Sequence, residues 1–110
     1  MSLLVSIAAQ AEADVARQYQ WYFQNTDIKV ADRFLADFND TVNKLAKHPG
    51  LGRQRKFRAR ELADIRSFPI GGSFAVLLVF YYYTADTLLI ERVMHGARDL
   101  PRRLLQSPEI

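Results

Sequence analysis

The 110-residue sequence has no cysteine, so disulfide scaffolds, cysteine-ligated zinc and thiol nucleophiles are excluded together. That absence fits a reducing compartment, and the expected address is cytoplasmic. Histidine occurs only twice, at His48 and His95, which leaves few groups able to exchange a proton near neutral pH. Glycine (5) and proline (4) are too sparse for collagen-like or low-complexity sequence. No glycine-rich phosphate cradle exists, because Gly50-Leu51-Gly52 lacks a third glycine and does not join a strand to a helix. The longest apolar run, Phe74 to Tyr83, is about half of what a membrane span needs, and the N-terminus lacks the basic-then-apolar order of a signal peptide. No membrane association is expected. The acidic residues offer no metal constellation either. Asp32, Asp37 and Asp40 sit on one helical stretch, where a solvated face explains them, so neither metal nor cofactor is expected.

What is present suffices for one folded domain over residues 1–110: 49% hydrophobic residues and 25% charged. The net charge of +3 hides a split, with −1 over residues 1–50 and +4 over 51–110. Eleven of the fifteen cations are arginine, the better partner for planar carboxylates and phosphates, so an anionic partner is expected for the C-terminal half.

Leu3-Leu4-Val5 reads as a short strand. A helix follows whose stripe Ala8, Val15, Ala16, Tyr19, Tyr22 and Phe23, with Glu12 as its polar exception, is expected to be the buried face. Trp21 falls on the opposite side, with Gln10, Asp14 and Gln18. Asn25-Thr26-Asp27 then supplies capping residues for a second helix to about Lys47, with Ala31, Phe34, Leu35, Phe38, Val42 and Leu45 on one side and Pro49 as its stop. The short connection implies an antiparallel αα-hairpin. Residues 48–60 form a loop with five cations and no anion. Three β-type segments follow, about 62–70, 74–83 and 87–95, with Gly71-Gly72 suited to a two-residue hairpin turn. Pro101 opens a short terminal helix. The expected fold is α+β: an N-terminal strand, a helical hairpin packed on a small antiparallel sheet, and a C-terminal helix.

Chemistry-bearing residues are few. His95 ends the last strand beside Gly96, where it serves either as a proton carrier or as a hydrogen-bonded residue that shapes the turn. Tyr82, within the run Tyr81-Tyr82-Tyr83, is a packing residue with a wet hydroxyl, or else a general acid or a stacking platform. Arg66, Arg92 and Arg98 have the charge to stabilise a phosphorane-like transition state. Arg58 and Arg60 lie in the basic loop.

Ordered along the chain, several short signatures resemble the ParE/RelE superfamily of toxins from bacterial type II toxin–antitoxin systems, and the ParE branch most closely. They are Ala31 with Phe34, Leu45 with Pro49-Gly50-Leu51-Gly52, Arg66 ahead of Phe68-Pro69-Ile70, and the run Arg92-Val93-Met94-His95-Gly96-Ala97-Arg98-Asp99-Leu100. For the ParE branch the resemblance implies poisoning of DNA gyrase without a reaction of the toxin's own. Arg58, Arg60, Arg66, Arg92, His95 and Arg98 are then expected target contacts. For the RelE branch it implies ribosome-dependent mRNA cleavage, with Arg66, His95, Arg98 and Tyr82 as the catalytic alternative. Arg66 matches a strand arginine of RNA-cleaving relatives, but the chain reads Asp-Leu-Pro-Arg-Arg after Arg98, where those relatives carry a Tyr, Lys or His cluster. The resemblance also implies a cognate antitoxin that wraps the toxin. Exposed tryptophan is a common interface anchor, so Arg17, Gln18 and Trp21 are the expected antitoxin contacts.

Overall fold

A computed structural model describes residues 1–96 and 100–105. The N-terminal strand β1 (Leu4–Ile7) leads into α1 (Ala9–Asn25) and α2 (Ile28–Lys47). Then come β2 (Arg53–Gln54), β3 (Arg66–Pro69), β4 (Leu77–Tyr83), β5 (Thr87–His95) and α3 (Leu100–Leu105). No described helix is long and apolar enough to cross a membrane.

The helical hairpin is written in local chemistry. The last turn of α1 is closed by Thr26, whose N–H and hydroxyl both donate to the Tyr22 carbonyl at 2.8 and 2.6 Å. One residue on, Asp27 caps α2 by accepting the Val30 N–H at 3.1 Å, which satisfies one of the orphan donors of the first turn. The expected stripe of α2 is largely the buried one: Ala31, Phe34, Phe38, Val42 and Leu45 are all inside, joined by Thr41 and Ala46, while Leu35 is half-buried. Pro49 begins a single 3₁₀ turn, Pro49–Leu51, and the helix ends there as expected.

The buried face of α1 is not the expected one. Ala11, Asp14 and Val15 are inside, Tyr19 and Tyr22 are half-buried, and Glu12, Ala16 and Phe23 are exposed. On a helical wheel the face is turned by roughly 80°. Asp14, expected outside, has rotated in to meet Arg92 of β5, and the helix has followed it.

The sheet has five strands in the order β1-β5-β4-β3-β2. The β3-β4-β5 meander is antiparallel as expected, but β1 pairs with β5 in parallel, so the sheet is mixed. The basic loop also contributes a strand, because Arg53 and Gln54 pair with Ser67 and Arg66. Gly71-Gly72 does not make a two-residue hairpin. The strands part after Pro69 and resume at Leu77, because Phe74 drops into the core against Tyr22 and Phe34, with ring centroids 5.2 and 5.6 Å away. Gly72 adopts φ +67° within this connection, a conformation other residues take up at a cost.

β4 is covered on both faces, as its continuous apolar sequence implies. Leu77, Val79 and Tyr81 face the helices, in one core with Phe34, Phe38, Leu45 and Ile90. Phe80 faces the other way, into a second cluster with Leu62, Ile65, Met94, Leu100 and Leu104. The loop before β3 and the terminal helix α3 thus form a lid on the face opposite α1 and α2. Opposite the Phe80–Tyr81 step, the register jumps from Arg92 to Ile90, leaving Glu91 as an extra residue in β5.

Candidate functional site

Three constellations carry most of the polar chemistry. The first surrounds the turn after α2. Tyr81 is fully buried, and its hydroxyl donates to the Pro49 carbonyl at 2.6 Å and accepts the Gly52 N–H at 2.8 Å. Burial raises its pKa, an effect offset only in part by the Gly52 bond and the Arg66 charge. Arg66 adds bonds to the Gly52 carbonyl at 2.8 Å and the Gly50 carbonyl at 3.4 Å, with its guanidinium 5.6 Å from the Tyr83 ring. Gly52 is packed so closely under the Tyr81 ring that a Cβ there would overlap it. The turn is therefore clamped from the sheet.

The second joins α1, β5 and α3. Arg92 is 4% exposed and donates from Nε and Nη2 to the two carboxylate oxygens of Asp14, at 2.7 and 3.0 Å. Asp14 also accepts the Val93 N–H at 2.9 Å, and Arg92 Nη1 donates to the Arg103 carbonyl at 3.1 Å. The β1–β5 pairing reaches only to Ile90, so the Asp14 carboxylate takes over a sheet donor beyond the end of β1. Arg92, expected as a target contact, thus lies in the interior, and its guanidinium holds the fold together. Sequence reasoning missed Asp14 because an aspartate among polar neighbours reads as surface.

The third is a cleft of about 440 Å³ lined by Arg17, Gln18, Trp21, Tyr22 and His95. The three residues expected on the antitoxin side and one expected on the target side meet here. Trp21 is 52% exposed, its ring edge-on to Tyr22 at 5.4 Å. A second opening, about 470 Å³, runs between α1 and α2 beside β1. Its wall is largely apolar, with Ile7, Val15, Ala16, Tyr19, Leu35 and Phe38, and is completed by Glu12 and Gln20. Part of the stripe expected to be buried therefore faces a groove.

The remaining residues are dispersed. Tyr82 is half-buried, and its hydroxyl donates to the Glu61 carbonyl at 2.8 Å. Burial, with Glu91 and Asp64, pushes its pKa up. Arg58 and Arg60 are exposed on the lid. Burial, then the charge of neighbouring Arg53, lowers the pKa of Arg55, which donates to Ser67 Oγ at 3.0 Å. Arg66 pairs in register with Tyr81 and His95 with Leu77, so they sit at opposite ends of the sheet, about 16 Å apart by strand spacing. Arg98 lies outside the described residues.

The family model for the ParE toxin of the type II toxin–antitoxin system parDE matches residues 5–100. The chain belongs to the ParE toxin family. Among solved structures, this ParE-family toxin is similar to a chain of the chromosomal ParDE toxin–antitoxin system from P. aeruginosa. That likeness has a TM-score of 0.69 at 15% identity and covers 87% of this chain and 98% of that one. It is also similar to a chain of the RelBE2 toxin–antitoxin complex from Mycobacterium tuberculosis. There the TM-score is 0.56 at 19% identity, with 87% of this chain and all of that one covered. At such identities the likeness speaks to the fold, which the ParE and RelE branches share. No curated protein matches the ParE-family chain significantly.

Proposed function

We propose that this ParE-family toxin acts in the cytoplasm as a non-enzymatic poison of DNA gyrase and is neutralised by a cognate antitoxin. The observation that carries the reading is the dispersal of the residues an mRNA endonuclease would need. Cleavage through the 2′-hydroxyl requires a base, an acid and a cation around one phosphate. Here Arg66 is bonded to the Gly50 and Gly52 carbonyls, and the Tyr82 hydroxyl to the Glu61 carbonyl. His95 opens into a cleft with Trp21 at the far end of the sheet. This separation of Arg66, Tyr82 and His95 supports a binding surface over a catalytic one.

Arg17, Gln18 and Trp21 are the proposed antitoxin contacts. They share a cleft next to α1, and both solved relatives come from toxin–antitoxin systems. Exposed target contacts are then Arg58, Arg60 and His95. The test titrates purified toxin into a gyrase supercoiling reaction, beside a translation reaction in which mRNA integrity is followed. Inhibited supercoiling or trapped cleaved DNA with intact mRNA is the expected result. Normal supercoiling with mRNA cut on the ribosome would overturn the reading.

A further inference from the structure

We propose that the lid segment 53–60 is a comb that binds the phosphate backbone of duplex DNA. From residue 55 to residue 60 exposure alternates strictly. Arg55, Phe57 and Ala59 are half-buried, while Lys56, Arg58 and Arg60 are exposed. The inward set is anchored. Phe57 and Ala59 pack against the cluster around Phe80, and the Arg55 guanidinium lies 5.4 Å from the Phe57 ring and 6.0 Å from the Phe80 ring. The chain bends at Arg58 and a 3₁₀ turn, Arg60–Leu62, opens at Arg60, so neighbouring outward cations lie within the roughly 7 Å that two residues can span, the scale on which phosphates follow one another along a strand. Arg53 on β2 adds a fourth exposed cation beside the row, three residues before Lys56 and so out of step with it.

Among the described residues no carboxylate pairs with these charges: none of Arg53, Lys56, Arg58 and Arg60 has one within 4 Å. Glu61 and Asp64 follow the comb, but Asp64 accepts from Gln54 at 3.4 Å rather than from a cation. Arg53 stands close enough to Arg55 to lower its pKa. Like charges gathered without a counter-charge match a polyanion.

The choice of duplex DNA rests partly on the gyrase reading, since gyrase holds DNA at its working surface. It rests also on where the aromatic rings point. Proteins that read single strands stack unpaired bases on exposed rings. Here Phe57 is turned inward, and Tyr81 and Tyr82 are tied by their hydroxyls to loop carbonyls. The exposed Tyr83 ring carries the Arg66 guanidinium 5.6 Å from its centre, so the segment itself presents cations and no ring of its own, the pattern that recognises backbone.

The test measures fluorescence anisotropy of a short labelled duplex with purified toxin across a salt titration, without gyrase. Four phosphate contacts predict a slope of about −3.6 in log affinity against log salt, a loss of roughly 150-fold between 50 and 200 mM. The variant K56Q/R58Q/R60Q should keep roughly one contact and lose only about threefold to fourfold over that range. A charge-matched control, K29Q/R33Q/K47Q, removes three exposed cations from α2 and should bind as the wild type does. Equal weakening by both variants would reduce the effect to net charge and overturn the proposal. Tighter binding of a single-stranded RNA of equal length would also overturn it. Gyrase inhibition without comb-dependent DNA binding sinks this surface alone. Comb-dependent binding with unaffected gyrase supports the surface and sinks the gyrase reading.

Discussion

Replacing Asp14 with alanine should be among the most damaging single changes available on the polar inventory of this protein. Asp14 is 7% exposed and Arg92 4% exposed, so the substitution leaves a buried guanidinium without its bidentate partner. It also strands the Val93 N–H, which donates to Asp14 at the sheet edge. Breaking a buried pair from one side costs about 3–5 kcal/mol, because the surviving charge stays desolvated. At about 4 °C per kcal/mol for a domain of this size, Tm should fall by roughly 12–20 °C. Thermal unfolding followed by circular dichroism at fixed pH and salt reads this directly. The companion variant D14V/R92M removes both charges and stays close to the original volume. It should recover part of the loss, since an apolar pair is often as stable as a buried ion pair, while the Val93 N–H stays without its acceptor. Arg17, Gln18 and Trp21 follow Asp14 within two turns, and His95 follows Arg92 by three residues. The same bridge therefore sets the distance across the cleft, and D14A should weaken whatever binds there in addition to lowering Tm. A D14A protein within about 1 kcal/mol of wild type would refute the reasoning, because no other ion pair among the described residues ties α1 to β5, the Gln10 bond to the Glu91 carboxylate at 2.6 Å being its only charge-assisted companion.

Tyr81→Phe should cost about 1–3 kcal/mol in chemical denaturation, since it leaves the Pro49 carbonyl and Gly52 N–H without the hydroxyl that joins them; an unchanged midpoint would show that the turn does not depend on the clamp. Trp21→Ala should leave stability within about 1 kcal/mol, the ring being half exposed, while antitoxin affinity by calorimetry falls at least about tenfold; unchanged affinity would remove Trp21 from the interface. Tyr81 and Tyr82 both have pKa values raised by burial, so the folded state holds their protons more tightly than the unfolded chain does. Their contribution is complete below the ordinary tyrosine pKa near 10 and is lost as pH climbs through the folded values. Stability should therefore stay level on this account up to about pH 10 and fall above it, with phenolate absorbance appearing late; full tyrosine ionisation at pH 10 in the folded protein would contradict the burial.

The two helices differ in how far sequence could describe them. α2 was legible because its apolar residues repeat at helical spacing over five turns, and its cap and stop are chemical features of adjacent residues, Asp27 and Pro49. α1 shows an equally plain stripe, yet the fold buries a different side. Its orientation is set by a carboxylate that finds a guanidinium 78 residues later, and one charge-assisted pair outweighs the exposure of Ala16 and Phe23. The apolar run 74–83 was similarly half right. Leu77 to Tyr83 is the central strand, but Phe74 packs among aromatic rings instead of continuing it.

The candidate sites divide along the same line. The cation row over 53–60 and the outward Trp21 could be read from composition and periodicity. That Trp21 shares a cleft with His95, that Arg92 is interior, and that Tyr81 fastens the Pro49–Gly52 turn could not.

The sequence by itself determined the order of the two helices and the three meander strands, the helix ends, the ParE/RelE kinship and the basic bias of the second half, because each depends on residues within a few positions of one another or on their sum. Tertiary structure alone decided the parallel placement of β1, the burial of Asp14 with Arg92, and the separation of Arg66 from His95. Those depend on pairings between distant segments. A buried polar group has a place only where its partner arrives, and no local pattern records that arrival.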